Sequence, residues 1–185
     1  MLKELKKWLS KEKNDKNIFD IVLYGSSVKG KSKPNDLDIL IIFKEGKLKE
    51  RLEKSQQIKK KIQFNGKIDI KNILWEEMFQ AEFFARSGIF LAGISVFDNK
   101  PLAKKMGFES HSLFVYNLKD KTHNEKVKFN YILSGRNSEG IIKKLSGKHL
   151  APGVVQIPIK NSLEFEEVLK KSKINYSKSN IMIEK

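Results

Sequence analysis

The sequence predicts an α+β protein, and two observations lead to that prediction. Two apolar, β-branched runs, Ile18–Tyr24 and Asp36–Phe43, flank a segment rich in glycine, serine and lysine, which is the pattern of buried strands joined by a turn. Segments with apolar residues at helical spacing then alternate with further strand-like runs to the end of the chain. We therefore expect strands and helices in both halves of the protein.

The first half begins with a helix and continues with the two strands. Leu2, Leu5 and Leu9 recur at helical spacing, which predicts an amphipathic helix at the start of the chain. Residues 47–63 are predicted as a surface helix with its apolar side chains near one face, followed by a third strand at Lys67–Leu74. The apolar residues assigned to that helix face are Leu48, Leu52, Ile58 and Ile62.

The remaining elements complete two predicted domains. Residues 75–86, with a broad apolar face, are predicted as a helix, and residues 93–97 as a short closing strand. Residues 98–107 have turn chemistry and are predicted as a connector between a domain at 1–100 and a small α+β domain at 108–185. In the second domain, strands are expected at 112–118, 154–159 and 180–183, and helices at 123–133 and 162–171.

The charge of the chain suits a polyanionic partner without identifying it. The formal net charge is +15, and only three of the 37 basic residues are arginine. Lysines placed along phosphates release counterions, so RNA is the favoured partner, recognised by its backbone and shape rather than by a base code. Lysine, isoleucine and asparagine are all abundant, however, which an AT-rich genome also produces. Charge alone therefore leaves the partner open.

Composition also restricts the chemistry and the cellular location. The chain has no cysteine, which excludes a disulfide framework, a cysteine zinc site and a thiol nucleophile. Its longest apolar runs are about half of a membrane span or less. We expect a cytoplasmic protein that does not enter a membrane, and the sequence does not predict its oligomeric state. The aromatic residues of the second domain, including Tyr116 and Phe129, are interpreted as core rather than as a base-stacking surface.

The most informative segment is Gly25-Ser26, nine residues, then Asp36-Leu37-Asp38. Asp36 and Asp38 lie two residues apart on a strand and so share one face of it. Two neighbouring carboxylates are costly unless a cation lies between them, and Mg²⁺ prefers such ligands. The sequence therefore predicts a magnesium site here.

The glycine–serine turn adds a predicted phosphate site beside the acids. Gly25 allows backbone amides to approach a phosphate, and Ser26 can donate its hydroxyl to a phosphate oxygen. Lys29 and Lys33, in the same loop, can add positive charge. Asp69, in the third apolar run, is a third acid that could bind metal or accept a proton. Together these residues predict phosphoryl or nucleotidyl transfer.

These motifs resemble those of the DNA polymerase beta-like nucleotidyltransferase superfamily, in its small or minimal type. Its small members have Gly-Ser, a spacer with a further glycine (here Gly30), Asp-x-Asp, and a third Asp on a later strand. One departure is Asn35, where many small members have serine. The resemblance covers about residues 18–97 and implies a palm-like mixed sheet with flanking helices.

The resemblance also implies roles for individual residues. Asp36, Asp38 and Asp69 would hold two Mg²⁺ ions, with Mn²⁺ as an alternative. Gly25 and Ser26 would hold the triphosphate of a nucleotide such as ATP, helped by Lys29 and Lys33. An acceptor hydroxyl would attack the α-phosphate, and pyrophosphate would leave. Because of the charge, the favoured acceptor is RNA, such as a tRNA-like end.

Three alternatives remain open at this stage. A nucleotidyltransferase of the toxin–antitoxin type would modify (AMPylate) a hydroxyl of a partner protein with the same chemistry. A non-catalytic RNA-binding module could use the same scaffold. A small-molecule (antibiotic) transferase is disfavoured, because a cationic acceptor requires an acidic cleft and this chain is strongly basic.

Overall fold

The computed structural model describes residues 1–28 and 35–184, which divide into two compact units, Met1–Gly107 and Phe108–Lys185. The first unit contains a five-stranded sheet in the order β3-β2-β1-β4-β5. Its strands are β1 Ile18–Tyr24, β2 Asp36–Phe43, β3 Lys67–Leu74, β4 Ile94–Ser95 and β5 Lys100–Pro101. Because β2 pairs parallel with β3 and antiparallel with β1, the sheet is mixed. The predicted α+β fold is confirmed.

Helices cover both faces of this sheet. They are α1 Leu2–Trp8, α2 Leu48–Lys61, α3 Arg86–Ala92 and α4 Leu102–Lys105, with 3₁₀ turns at Ser10–Asn14, Gly25–Val28 and Glu76–Phe79. One face packs Ile39 and Ile41 against Leu5 of α1 and Ile58 of α2. The other face buries Leu40 and Ile42 of β2 in a cluster with residues of α3 and α4. Strand β2 is therefore apolar on both sides from Ile39 onward, as a central strand must be.

A buried carboxylate attaches α4 to the first strand. Asp20 of β1 is fully buried and accepts hydrogen bonds from Ser95 Oγ at 3.0 Å and from the Ile21 amide at 2.8 Å. Lys105 of α4 forms an ion pair with it at 2.9 Å. Burial raises the pKa of Asp20, and these donors act in the opposite direction. An unpaired charge here would cost several kcal/mol, so Lys105 fixes α4 in place.

A second ion network joins the amino-terminal segment to α2. Glu12 is 3% exposed and forms ion pairs with Lys61 and, at 2.9 Å, with Lys54. Lys54 also reaches Asp15 at 2.7 Å. The two lysines hold the pKa of Glu12 below its usual value although burial acts to raise it. The chain before β1 is thus attached to the helix that follows β2.

Helix α2 buries only part of the face that was predicted. Ile58 and Ile62 are buried as expected, but Leu48 and Leu52 are 59% and 48% exposed. Arg51 lies on the buried face instead, because its guanidinium forms an ion pair with Glu77 at 3.2 Å. The four apolar residues do lie near one face, within about 120° of one another at about 100° per residue, but only Ile58 and Ile62 are covered by the rest of the fold.

The helix predicted at residues 75–86 is also absent from the structure. The 3₁₀ turn Glu76–Phe79 is followed by a loop, and α3 begins only at Arg86. The apolar side chains of this segment pack without forming a helix. For example, the ring of Trp75 packs against the ring of Phe19 with centroids 4.3 Å apart. The segment predicted as a connector, residues 98–107, contains β5 and α4, and both belong to the first unit.

The second unit is an antiparallel sheet covered by helices on one face. Its strand order is β7-β8-β6-β9, and its helices are α5, α6 and α7. The bounds are β6 Phe108–Tyr116, α5 His123–Ser134, α6 Ile141–Lys144, β7 Lys148–Ala151, β8 Val154–Pro158, α7 Ser162–Lys171 and β9 Tyr176–Glu184, with a 3₁₀ turn at Ile159–Asn161. The strand expected at 180–183 is β9, which is longer than predicted. The segment between α5 and β8, for which no helix or strand bounds were predicted, contains α6 and β7.

The core of the second unit is largely aromatic. Phe114 packs edge-on against Phe165 with centroids 4.9 Å apart, and Tyr116 against Phe129 at 5.6 Å. All four rings are buried, so Phe114, Tyr116 and Phe129 are core residues as interpreted. Tyr131 was assigned to the core with them, but it is 43% exposed, so that assignment was wrong. Within the described part of the chain, no helix is long and apolar enough to cross a membrane.

Candidate active site

Three strand ends bring the predicted acids together. The parallel register pairs Asp38 of β2 with Asp69 of β3, and the antiparallel register pairs Asp38 with Tyr24 of β1. Paired residues on neighbouring strands point to the same face, about 4.8 Å apart. Asp36 lies two residues before Asp38 and therefore shares that face. The three acids thus lie on one face of the sheet, at the edge where β1 ends and β2 and β3 begin.

The glycine–serine turn lies directly against Asp38. Gly25 follows β1 with φ at +75°, a conformation that L side chains rarely adopt. A Cβ built on Gly25 would lie 2.9 Å from Asp38 Cγ and closer still to its carboxylate. Ser26, the next residue, donates its hydroxyl to Asp36 Oδ1 at 3.4 Å. The glycine–serine turn and the Asp-x-Asp segment are therefore in contact within the fold.

The electrostatics of this face are those of crowded carboxylates. Partial burial, followed by the charges of Asp36 and Asp69, raises the pKa of Asp38. Burial and the carboxylates of Asp38 and Asp69 raise the pKa of Tyr24 to about 12. A cation placed among these groups would relieve the charge repulsion that adds to the effect of burial in both shifts.

Two lysines near the acids were not singled out from the sequence. Lys67 and Lys71 lie two residues before and two residues after Asp69 on β3, so they share its face. Their charges act to lower the pKa of Asp38. The alternation Lys-Ile-Asp-Ile-Lys in the sequence could have indicated that these lysines lie beside Asp69, because it places the three charged residues on one side of a strand. Lys29, Gly30 and Lys33 lie outside the described residues.

The donor set fits a hard divalent cation in its chemistry. Mg²⁺ is bound by one or two carboxylates with water and substrate phosphate, and three carboxylates share this face. Over residues 1–28 and 35–184, no three histidine, cysteine or acidic side chains converge closely enough to form a ready metal site. The register that pairs Asp38 with Asp69, with Asp36 on the same face, is the observation that supports the fit.

The family model described as Polymerase beta, Nucleotidyltransferase matches residues 3–99. This chain belongs to that family. The predicted resemblance is confirmed, and with it the assignment of the domain as a nucleotidyltransferase. The match contains all three acids and the glycine–serine turn. It ends before α4 and includes no part of the second unit.

A comparison with solved structures finds a further similarity to this polymerase beta-family chain. A solved structure, spectinomycin adenyltransferase AAD(9) from Enterococcus faecialis with ATP and spectinomycin, is similar over 41% of this chain and 34% of its own, at 27% identity and a TM-score of 0.31. This chain thus spans about a third of the length of that enzyme. No curated protein sequence matches.

Proposed function

We propose that this protein transfers a nucleoside monophosphate from a nucleoside triphosphate, such as ATP, to an acceptor hydroxyl and releases pyrophosphate. The observation that supports this proposal most is the parallel register of β2 and β3, which places Asp69 beside Asp38. The family match supports the same reaction. The acceptor oxygen forms a bond to the α-phosphorus, and the bond from that phosphorus to the bridging oxygen of pyrophosphate breaks.

In this proposal the three acids have different roles. Asp36 and Asp38 would hold two Mg²⁺ ions, or Mn²⁺, and Asp69 would complete the site nearer the acceptor. When bound, the ions would neutralise phosphate charge and make the acceptor hydroxyl more acidic. The Asp69 carboxylate is placed to accept the hydroxyl proton as the new bond forms.

The surrounding residues would hold the nucleotide. Because Gly25 has no side chain, the turn lies directly against the Asp38 carboxylate, and its backbone amides would bind a phosphate there. The Ser26 hydroxyl can donate to a triphosphate oxygen, and Lys29 and Lys33 remain candidates for the same role. Lys67 and Lys71 flank Asp69 and would add positive charge close to the phosphates.

RNA is the acceptor that the charge favours. The net charge is +9 over residues 1–107 and +6 over 108–185, so the basic excess extends over both units. Lysine is a strongly hydrated point charge suited to phosphates, whereas arginine, which most often makes the bidentate contact with guanine, is scarce here. The second unit, outside the family match, is proposed to recognise this acceptor, and the protein is proposed to act in the cytoplasm.

The test is a labelling reaction with each α-labelled triphosphate, Mg²⁺, and either total RNA or a cell lysate. We expect the RNA fraction to be labelled and pyrophosphate to be released. Asp36→Asn and Asp38→Asn should each reduce transfer on the order of 100-fold or more, because each removes a ligand charge worth several kcal/mol in the transition state. Glu53→Gln, which changes an exposed acid on α2, is the matched control and should transfer normally.

Each other outcome identifies a different function. Labelling of one polypeptide without RNA would replace RNA by a protein acceptor. RNA binding that is equal with and without Mg²⁺, with no pyrophosphate released, would indicate a non-catalytic module. Full turnover in a folded Asp38→Asn variant, with folding checked by circular dichroism, would refute the site.

A further inference from the structure

A groove in the second unit is lined by residues that have no role in the reaction described above. It has a volume of about 650 Å³, within the range of ligand sites. It lies between the end of β6, helix α5 and the turn that joins β7 to β8. The lining residues used below are Tyr116, Asn117, Asn130, His149, Leu150 and Pro152.

The polar side chains of the groove have free hydrogen-bonding groups. Asn117 accepts one bond through Oδ1, from the Lys119 amide at 3.2 Å, and its Nδ2 has no partner within the described residues. The side chains of Asn130 and His149 make no hydrogen bond in that part of the chain. An amide offers a donor and an acceptor side by side, which is the complement of the edge of a nucleobase.

The apolar part of the groove offers a surface for a flat ring. Leu150, in strand β7, is 52% exposed although it is a large apolar residue. Pro152 lies in the turn after β7, and the buried ring of Tyr116 forms part of the lining. Apolar side chains beside amide groups suit a ligand that is flat, uncharged and hydrogen-bonding at its edge.

The charges next to the groove are positive. Among the described residues, no acidic side chain lines it. Lys126 lies one helical turn before Asn130 on α5. Lys148 lies two residues before Leu150 on β7 and therefore shares its face of the strand. A ring-shaped ligand attached to phosphates would therefore find cations beside the groove rather than carboxylates.

We infer that this groove holds one unpaired base of a single-stranded RNA, with the adjoining phosphates near Lys126 and Lys148. The inference rests on the proposed function for the identity of the ligand as RNA, and it names the part of the chain that would recognise it. Bases of single strands are recognised by ring contacts and by hydrogen bonds to their edges, and this groove offers both.

The experiment measures binding, not transfer, with the full-length protein. Fluorescence anisotropy compares a labelled short single-stranded RNA with an abasic ribose oligomer of the same length and phosphate number. We expect the wild-type protein to prefer the base-bearing strand by about tenfold, as one stacked or edge-bonded base would give. Asn130→Ala and Leu150→Ser should each remove most of this preference and leave binding of the abasic strand unchanged.

Two matched controls isolate the groove. Asn124→Ala changes another exposed asparagine of α5, and Leu163→Ser changes a leucine of α7 that is 54% exposed; neither residue lines the groove. Both control variants should keep the tenfold preference.

The outcomes separate this inference from the proposed function. Equal affinity of the wild-type protein for both strands, or an unchanged preference in Asn130→Ala and Leu150→Ser, would overturn the groove assignment even if RNA is labelled. A base preference that depends on these residues, in a protein that never transfers a nucleotide, would support the groove and refute the transferase.

Discussion

Gly25 affects both the backbone turn after β1 and the position of the Asp38 side chain. Its positive φ turns the chain out of β1, and the space that a side chain would occupy is taken by Asp38. The turn therefore determines where one of the acids lies. The sequence motif showed the glycine, but only the fold shows that its missing side chain is what accommodates the carboxylate.

Gly25→Ala should lower the free energy of unfolding by about 1–3 kcal/mol, because a residue other than glycine is strained at this φ. It should also reduce nucleotidyl transfer, since the Asp38 carboxylate must move. Urea unfolding measures the first effect and the labelling reaction the second. Gly88→Ala is the control: it lies in α3 with no atom within 4 Å of the added Cβ, and it should be neutral or stabilising by up to about 1 kcal/mol. If the Gly25→Ala and wild-type proteins had the same urea midpoint, strain at this backbone conformation would be refuted.

Single residues also show where sequence reasoning reaches its limit. Asp20 and Asp69 both lie between apolar residues of a strand, so the local pattern is the same. Asp69 was selected because it lies on a strand that follows the Asp-x-Asp motif and the next helix, whereas Asp20 precedes the glycine–serine turn and was passed over. The structure shows why they differ: Asp20 has Lys105 and Ser95 as partners, whereas Asp69 faces another acid. Those partners lie 75 and 85 residues away in sequence, where no local pattern indicates them.

At the scale of elements, the strands of the first unit were predicted better than the helices between them, whereas in the second unit the helices α5 and α7 were predicted better than the strands. The bounds of β1, β2 and β3 agree with the expected ones because these strands are continuous apolar runs. Helix α2 was located, but its buried face includes Arg51, which a hydrophobic pattern assigns to solvent. Its partner Glu77 comes from the segment after β3. Tertiary ion pairs of this kind override periodicity.

Helix α7 and strand β9 are joined by a carboxylate that should make the second unit sensitive to acid. Glu166 accepts hydrogen bonds from Lys178 at 2.7 Å and from the Tyr176 hydroxyl at 2.9 Å, and it pairs with Lys170. These donors, with Lys178 first, lower the pKa of Glu166 to about 2. In the unfolded chain the pKa of a glutamate is near 4.5. The ionised Glu166 therefore stabilises the fold fully above about pH 4.5, and this stabilisation is lost as the pH falls toward 2.

We therefore expect the second unit to lose stability between pH 4.5 and 2, and Glu166→Gln to make that loss smaller. Unfolding followed by near-ultraviolet circular dichroism, where the aromatic core of this unit contributes, is the measurement. Glu167→Gln serves as the control, because its side chain is 68% exposed and its nearest cation, on Lys171, is 3.9 Å away. An identical pH profile in the Glu166→Gln and wild-type proteins would refute the role of this cluster.

At the scale of the whole molecule, the two units differ in what could be predicted. The first contains the motifs and the family match, whereas the second was predicted only as α+β from its alternating elements. The groove of the second unit could not be predicted, because its lining comes from three segments that no motif connects. The positive charge was visible in the composition and is a property of both units.

That charge predicts how RNA binding responds to salt. Between 50 and 200 mM salt, affinity for single-stranded RNA should fall by at least about tenfold, the value for two or three neutralised phosphates. Anisotropy titrations across this range test it. The abasic strand should show the same salt slope, because the slope depends on phosphates and not on bases. An affinity that does not change with salt would exclude the polyanionic acceptor proposed on the basis of charge.

The side-by-side placement of Asp38 and Asp69 depends on the length of chain that separates them. Side chains alternate along a strand, so shifting β3 by one step would turn residue 69 to the opposite side of the sheet. Removing or adding a single residue in the link between α2 and β3 would therefore separate the acids without altering any of them. Homologous chains should accordingly vary more readily in the composition of this link than in its number of residues.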